Sequence, residues 1–380
     1  MIEEKHTIPF DETYLTARGL KPDQVLFFDI ETTGLRAAAS QLYLIGLAVR
    51  EPEAIRHEAP EPDTVPALQN AASCSTHIWQ ITQYLASSAD EEIVLLSLFR
   101  QIIRRCNTVV QFNGNRFDIP YLEEKYAYYS LPSPFSDISK LDIFREIRPF
   151  RTLLGLDHLS QKSLEKFLKV PRTDPYSGGD LIDVYRFYKR GGCEIFGLDK
   201  CGALKALLLH NYEDVRGMLA LTQLLSYSMI AESRSPAVVS QQDGSLFASF
   251  SIDVKVPVPV TRSCTEYEIH AEENKVTVRI PFLKGTLCHF FPDYQDYYYL
   301  PEEGIAMHKS VAVFVDPSHR EKAKAGNCFV KKTSVFLPQK KELFSPSYQR
   351  FYKDKTLWFE FTRALAEDQE KLTDYIHSLI

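Results

Sequence analysis

Four carboxylates and one imidazole, in three short stretches, could do chemistry together: Asp29 and Glu31 in VLFFDIETTGL, Asp118 in QFNGNRFDIPYL, and His210 with Asp214 in LLHNYEDVRGM. Acids held side by side away from water repel one another and lose hydration, a cost that a cation readily offsets. Oxygen donors suit a hard divalent ion, Mg2+ or Mn2+, and neither His nor Cys lies in the first stretch to favour zinc. An imidazole with a pKa near neutral can take a proton from water beside such acids. Taken together, these residues are the donor set of a two-metal site for phosphodiester hydrolysis.

Such a site needs elements that bring distant residues together. VLFFDIE is β-branched and aromatic, so it reads as a buried central strand. Asp29 and Glu31 are two apart and share one face, and Thr32, Thr33 and Gly34 then turn the chain. TVVQF (108 to 112) reads as a second strand, Asn113 and Gly114 as a turn, and Asp118 to Tyr128 as an amphipathic helix. A carboxylate at a helix start is ordinary by itself, because the unpaired N–H groups and the dipole favour it. A long helical pattern from Ala203 to Ser228 places His210 and Asp214 at i and i+4. Alone, that pair reads as a surface contact worth about a few tenths of a kcal/mol. In this order and spacing, the three stretches point to one site.

The motifs resemble those of the DEDD 3′–5′ exonuclease superfamily. FFDIETTGL, FNGNRFDIPYLEEK, SLEKFL near 163 to 168 and HNYEDV are similar to the bacterial YprB-type ribonuclease H-like proteins, and FNGNRFDIPYL also resembles the second exonuclease motif of family B DNA polymerases. The resemblance spans about residues 20 to 230. It implies an α/β ribonuclease H-like fold, a mixed central sheet flanked by helices. It also implies two divalent cations, Mg2+ or Mn2+, held by Asp29, Glu31, Asp118 and Asp214, and His210 as general base. The expected reaction is hydrolysis of single-stranded nucleic acid from its 3′ end to 5′-mononucleotides. Thr32 and Phe117 would touch substrate, and Asn113 would either orient it or cap the helix. In the His-using branch of that superfamily the His lies five residues before the last Asp, and in the Tyr-using branch the Tyr lies four before. This chain has a His at the Tyr spacing, and Tyr212, two before Asp214, ranks below it. A non-catalytic nucleic-acid-binding module and a structure-specific endonuclease are the alternatives on the same fold.

The rest of the chain bounds the reading. With 380 residues, 44% hydrophobic and 25% charged, it suits two globular domains. The seven cysteines show neither CxxC pairing nor a dense framework, so a reducing cytoplasm is the expected setting. MIEEKHTIPF does not read as a signal peptide, and no apolar run approaches membrane-spanning length. A formal charge of -6 supplies no global attraction to nucleic acid, which must then be local.

The expected domains are 1–235, ribonuclease H-like, and 236–380, a smaller β-rich α+β region, with a Pro-, Glu- and Ala-rich insertion at 51–73. Strands are expected at FASFSIDVKV, EYEIHA, KVTVRIPF, SVAVFV, CFVKKTSVF and TLWFEF, and a helix over 366 to 379. Between 309 and 355, eleven basic residues stand against four acidic, interleaved with aromatics. Either the aromatics are core and the lysines a solvated face, or the stretch, with Lys331, Lys332, Lys340 and Lys341, guides single-stranded substrate. Asp142 reads as a helix cap or as a second support for the metal site.

Overall fold

The computed structural model describes residues 1–52, 76–264 and 266–380; the expected insertion at 51–73 lies, from residue 53 onward, outside the described residues. The chain divides into two compact units, residues 1–228 with 256–258, and residues 229–255 with 259–380.

The first unit is built on six strands: β1 (Ile2–Asp11), β2 (Val25–Thr32), β3 (Leu42–Arg50), β4 (Thr76–Leu85), β5 (Thr108–Gln111) and β6 (Ser139–Asp142). Their order across the sheet is β1-β4-β3-β2-β5-β6. The β1–β4, β4–β3 and β3–β2 pairs are antiparallel, whereas β2–β5 and β5–β6 are parallel, so the sheet is mixed with β2 at the change of direction. A strand in that place is covered on both faces, which explains the apolar run VLFF before Asp29. Leu26, Phe28 and Ile30 pack into one core with Leu96 and Phe99 of the helix Glu92–Ile103 and with Leu122 and Tyr126 of the helix Asp118–Tyr128. The opposite face, which carries Asp29 and Glu31, meets the long helix Lys200–Leu221.

Two glycines allow close approach at that interface. Gly46 pairs with Asp29 across the sheet, and a Cβ there would lie 2.1 Å from Asn211 Oδ1 and 2.8 Å from Val215. On the far side of the long helix, a Cβ at Gly217 would lie 2.0 Å from Glu165 Oε1, on the helix Gln161–Phe167. Without side chains at these positions the long helix sits between the sheet and the helix Gln161–Phe167, and its polar residues reach both.

The first strand was not legible in the sequence. Ile2–Asp11 pairs along its whole length with β4 alone, at an edge, so little apolar alternation is required of it.

The second unit holds β7 (Val238–Gln242), β8 (Ser245–Ser251), β9 (Val260–Ser263), β10 (Glu268–Glu272), β11 (Lys275–Pro281), β12 (Leu283–Phe290), β13 (Tyr297–Leu300), β14 (Ile305–His308), β15 (Glu321–Lys322), β16 (Phe329–Gln339) and β17 (Leu357–Glu360). They form a five-stranded sheet, β7-β8-β11-β10-β9, and two three-stranded sheets, β12-β16-β17 and β14-β13-β15. The helix Gln369–Leu379 packs Tyr375 against Phe359 and Phe344. One expected strand is corrected: in SVAVFV, residues 309–312 form a helical turn, because the His308 ring accepts the Ser310 N–H and caps it. Val313 and Phe314 are left exposed. The six described cysteines are free thiols. No described helix is long and apolar enough to cross a membrane.

Candidate metal centre

Asp29 and Glu31 point from β2 toward the long helix. Asn211 Nδ2 donates to Asp29 Oδ2 at 2.9 Å, and His210 Nε2 lies 3.6 Å from Glu31 Oε1 and 3.1 Å from Asp214 Oδ2. One ligand atom from each of Glu31, His210 and Asp214 falls within 4.8 Å of the others. Asp118 begins its helix from the neighbouring strand β5 and accepts backbone hydrogen bonds from its own N–H and that of Ile30. Four acids from three separated stretches therefore meet at one end of the sheet.

Burial and mutual repulsion raise the proton affinity of three of the four acids. Burial pushes Asp29 well above the usual carboxylate range, the charges of Asp214, Glu31 and Asp118 add to it, and the Asn211 amide opposes. Burial likewise raises Glu31 to about 8, with His210 opposing and Asp214 and Asp118 reinforcing. Asp118 is raised to about 7, again chiefly by burial. No cationic side chain is among the main influences on Asp29 or Asp118, whereas Glu31 has the His210 ring at 3.6 Å. Apart from one imidazole all the donors are oxygen, and the set fits a hard divalent cation.

Against that geometry, the RNase_H_2 family of the RNase_H superfamily matches residues 26–226, more than half of the chain. The chain belongs to the RNase H superfamily. Its members are usually hydrolytic nucleases that use divalent metals, and residues 26–226 are a domain of that nuclease type. No curated protein matches the chain. Among solved structures it is similar to the family B DNA polymerase from the hyperthermophilic archaeon Pyrobaculum calidifontis, at 12% identity and a TM-score of 0.35. That match covers 77% of this chain and 40% of the polymerase, so the chain spans less than half of that protein's length.

In this RNase H superfamily chain, Asp214 differs from its three companions. Burial would raise it, but the hydrogen bond and charge of His210 and the charge of Arg172 outweigh burial and hold it below the ordinary value. Arg172 Nη1 sits 2.6 Å from Asp214 Oδ1 and 3.3 Å from Glu165 Oε2, and Nη2 sits 3.1 Å from Asp174 Oδ2. His210 Nδ1 is 2.7 Å from Asp174 Oδ2. Burial would lower His210, yet Asp214, Glu31 and Asp174 raise it to about 9. When protonated, the ring donates from both nitrogens, to Asp174 and to Asp214.

Arg172 and Asp174 lie on the connection between the helices Gln161–Phe167 and Gly178–Arg190. Glu213 ties that connection to the long helix by accepting from Thr173 N (2.9 Å), Thr173 Oγ1 (2.9 Å) and Asp174 N (2.9 Å). Gln161 Nε2 adds a bond to the Asp214 carbonyl at 2.8 Å. Sequence reasoning missed Arg172, Asp174, Asn211 and Glu213. The motif HNYED contains the last two, but PRTD sits in a connection with no periodicity to mark it.

The remaining sequence candidates fall in several places. Thr32 Oγ1 donates to the Gly34 carbonyl and so serves the turn after β2. Asn113 adopts a left-handed φ of 60°, and its N–H donates to Asp142 at 2.9 Å; Asp142 also accepts from Arg145 N. Asp142 thus caps its helix and fixes the turn that leads to Asp118. Phe117 packs 5.6 Å from the Tyr121 ring. The Tyr212 ring packs tilted against His6 at 4.5 Å and under Arg216. Lys331 and Lys332 belong to the second unit, on opposite faces of β16.

Proposed function

We propose that the chain is a metal-dependent 3′–5′ exonuclease of the DEDD type, allied to the YprB-type proteins, acting on single-stranded DNA or RNA. The observation that carries this reading is the convergence of Asp29, Glu31, Asp118 and Asp214 from three separate stretches into one half-buried, under-neutralised cluster. These four acids would hold two ions, Mg2+ or Mn2+. Bound there, the cations would lower the pKa of a water and offset charge on the leaving 3′-oxygen.

The chain's own groups then do three things. Asp174 fixes the His210 ring through Nδ1, leaving Nε2 toward Glu31 and Asp214. His210 acts as base only when neutral, which requires that the surrounding acids be balanced by charge other than its own. Arg172 holds Asp214 in one orientation by its 2.6 Å contact.

That contact also favours a second reading, a nucleic-acid-binding module without hydrolysis, in which Arg172 and His210 already supply the charge that balances Asp214. Digestion of matched 5′-labelled single-stranded DNA and RNA in Mn2+ separates the two. Wild type should give a ladder shortening from the 3′ end, absent in Asp29→Asn with Asp118→Asn. No digestion of either polymer under varied metals would leave the binding module, and cleavage of circular strands would mark an endonuclease.

A further inference from the structure

We infer that the exposed β12–β16 part of one face of the β12-β16-β17 sheet, beyond the buried Leu337–Phe359 pair, is a binding platform for single-stranded nucleic acid, with bases stacked on aromatic rings at its two ends and phosphates on Lys284 and Lys331. The pairing register assigns the face residue by residue. Lys284 stands opposite Val335, Thr286 opposite Thr333, Cys288 opposite Lys331 and Phe290 opposite Phe329, and side chains opposite one another share a face. At the other end Phe361 N donates to the Val335 carbonyl, which extends the same face to Phe361 beside Phe282. Lys284, Thr286, Lys331 and Thr333 are exposed. None of these face positions is acidic, and neither Lys284 nor Lys331 pairs with a carboxylate among the described residues.

The chemistry is that of a strand-tracking surface. Phe282 and Phe361 are stacked at 5.1 Å and 26° and line a cavity of about 530 Å3 with Lys284, Val335 and Arg363. The turn 241–244 also lines that cavity and contributes one acid, Asp243. Phe290 and Phe329 pack edge to face at 5.3 Å at the far end, with Tyr352 5.5 Å from Phe290. From Phe282 to Phe290 the strand rises about 27 Å, room for about four nucleotides. Rings offer π-faces that any base fits, and lysines between them meet the backbone. A duplex keeps its bases stacked inside and has nothing to lay on the rings, which selects a single strand. Lys332 points to the opposite face, 3.4 Å from Glu360, and is already neutralised.

The inference rests on the exonuclease reading only in the choice of nucleic acid as the polymer. The test uses the full chain carrying Asp29→Asn and Asp118→Asn, so that nothing is digested. Fluorescence anisotropy follows labelled oligo-dT and oligo-U of about twelve residues at roughly 50 and 200 mM salt. Adding Lys284→Glu with Lys331→Glu should weaken binding at least about tenfold and reduce the log–log salt slope by about 1.4, that is about 0.7 for each lost phosphate contact. Phe282→Ala with Phe361→Ala should weaken binding to normal oligomers and leave an abasic oligomer unaffected. Lys332→Glu should change little. Unchanged affinity and slope in the lysine variant would overturn the inference, as would absence of oligomer binding by the parent chain or equal displacement by polyglutamate. The lysine variant stands at exposed positions and keeps the test valid if the phenylalanine variant fails to fold. Hydrolysis is scored separately on a chain with its acids intact, so a chain that binds through this face without cutting would refute the exonuclease reading alone.

Discussion

On β2, Asp29 and Glu31 stand two residues apart, share a face, and are half-buried against the long helix. On β16, Lys331 and Lys332 are adjacent, point to opposite faces, and stay near water. The same two-residue period acts in both places with opposite results. Two acids on one partly covered face repel each other, which raises their proton affinity and favours a bound cation. A lysine on an open face keeps its hydration and remains free to meet a phosphate. The first unit therefore gathers acids in a half-buried cluster and the second displays lysines on a surface, which suits chemistry in one and tracking of a strand in the other.

The largest expected effect tests the interior side of this comparison. Asp29→Asn with Asp118→Asn should reduce Mn2+-dependent hydrolysis by roughly a thousandfold or more, about 4 kcal/mol in barrier, while circular dichroism shows the fold retained. Full activity in that double variant would dissolve the contrast between the two units. Next comes Arg172→Ala, which strips a nearly buried guanidinium from Asp214, Asp174 and Glu165. Chemical denaturation should register a loss of about 3–5 kcal/mol, and Arg172→Lys should recover only part of it because a single ammonium cannot span three carboxylates.

Saturating Mn2+ sharpens the claim that the acids favour a bound cation. At about a hundred times its dissociation constant it should stabilise the wild type by about 2.7 kcal/mol, read as a rise in Tm that Asp29→Asn loses. Asp174→Asn comes after it. Freed from its partner, the His210 ring loses orientation, and single-turnover rates should fall about 10- to 100-fold with substrate affinity little changed. A parallel fall in affinity would place Asp174 in strand binding instead. Smallest is the lysine pair, where Lys331→Glu should weaken oligomer binding a fewfold and Lys332→Glu should not. Equal effects would show that strand register does not decide which lysine meets the polymer.

Much of the first unit was legible because its signals are local. A run of β-branched and aromatic residues marks β2, period two puts Asp29 and Glu31 together, and i and i+4 put His210 beside Asp214, the pair the structure holds at 3.1 Å. The strand β1 and the turn at Lys309–Ala312 were not legible, the first because an edge strand paired on one side needs little apolar patterning, the second because a capping ring overrides the alternation of SVAVFV.

By itself the sequence determined which residue types are present, their local faces, and the mixed α/β class with a β-rich region after it. Tertiary structure alone decided that Asp118 meets the β2 acids, that Gly46 and Gly217 let one helix reach both neighbours, and that Arg172, Asp174 and Glu213 brace Asp214 and His210. The reason is one of range. Backbone periodicity fixes direction over a few residues, whereas the contacts of a charge with partners 36 to 182 residues away depend on how sheet and helices pack, which no local pattern encodes.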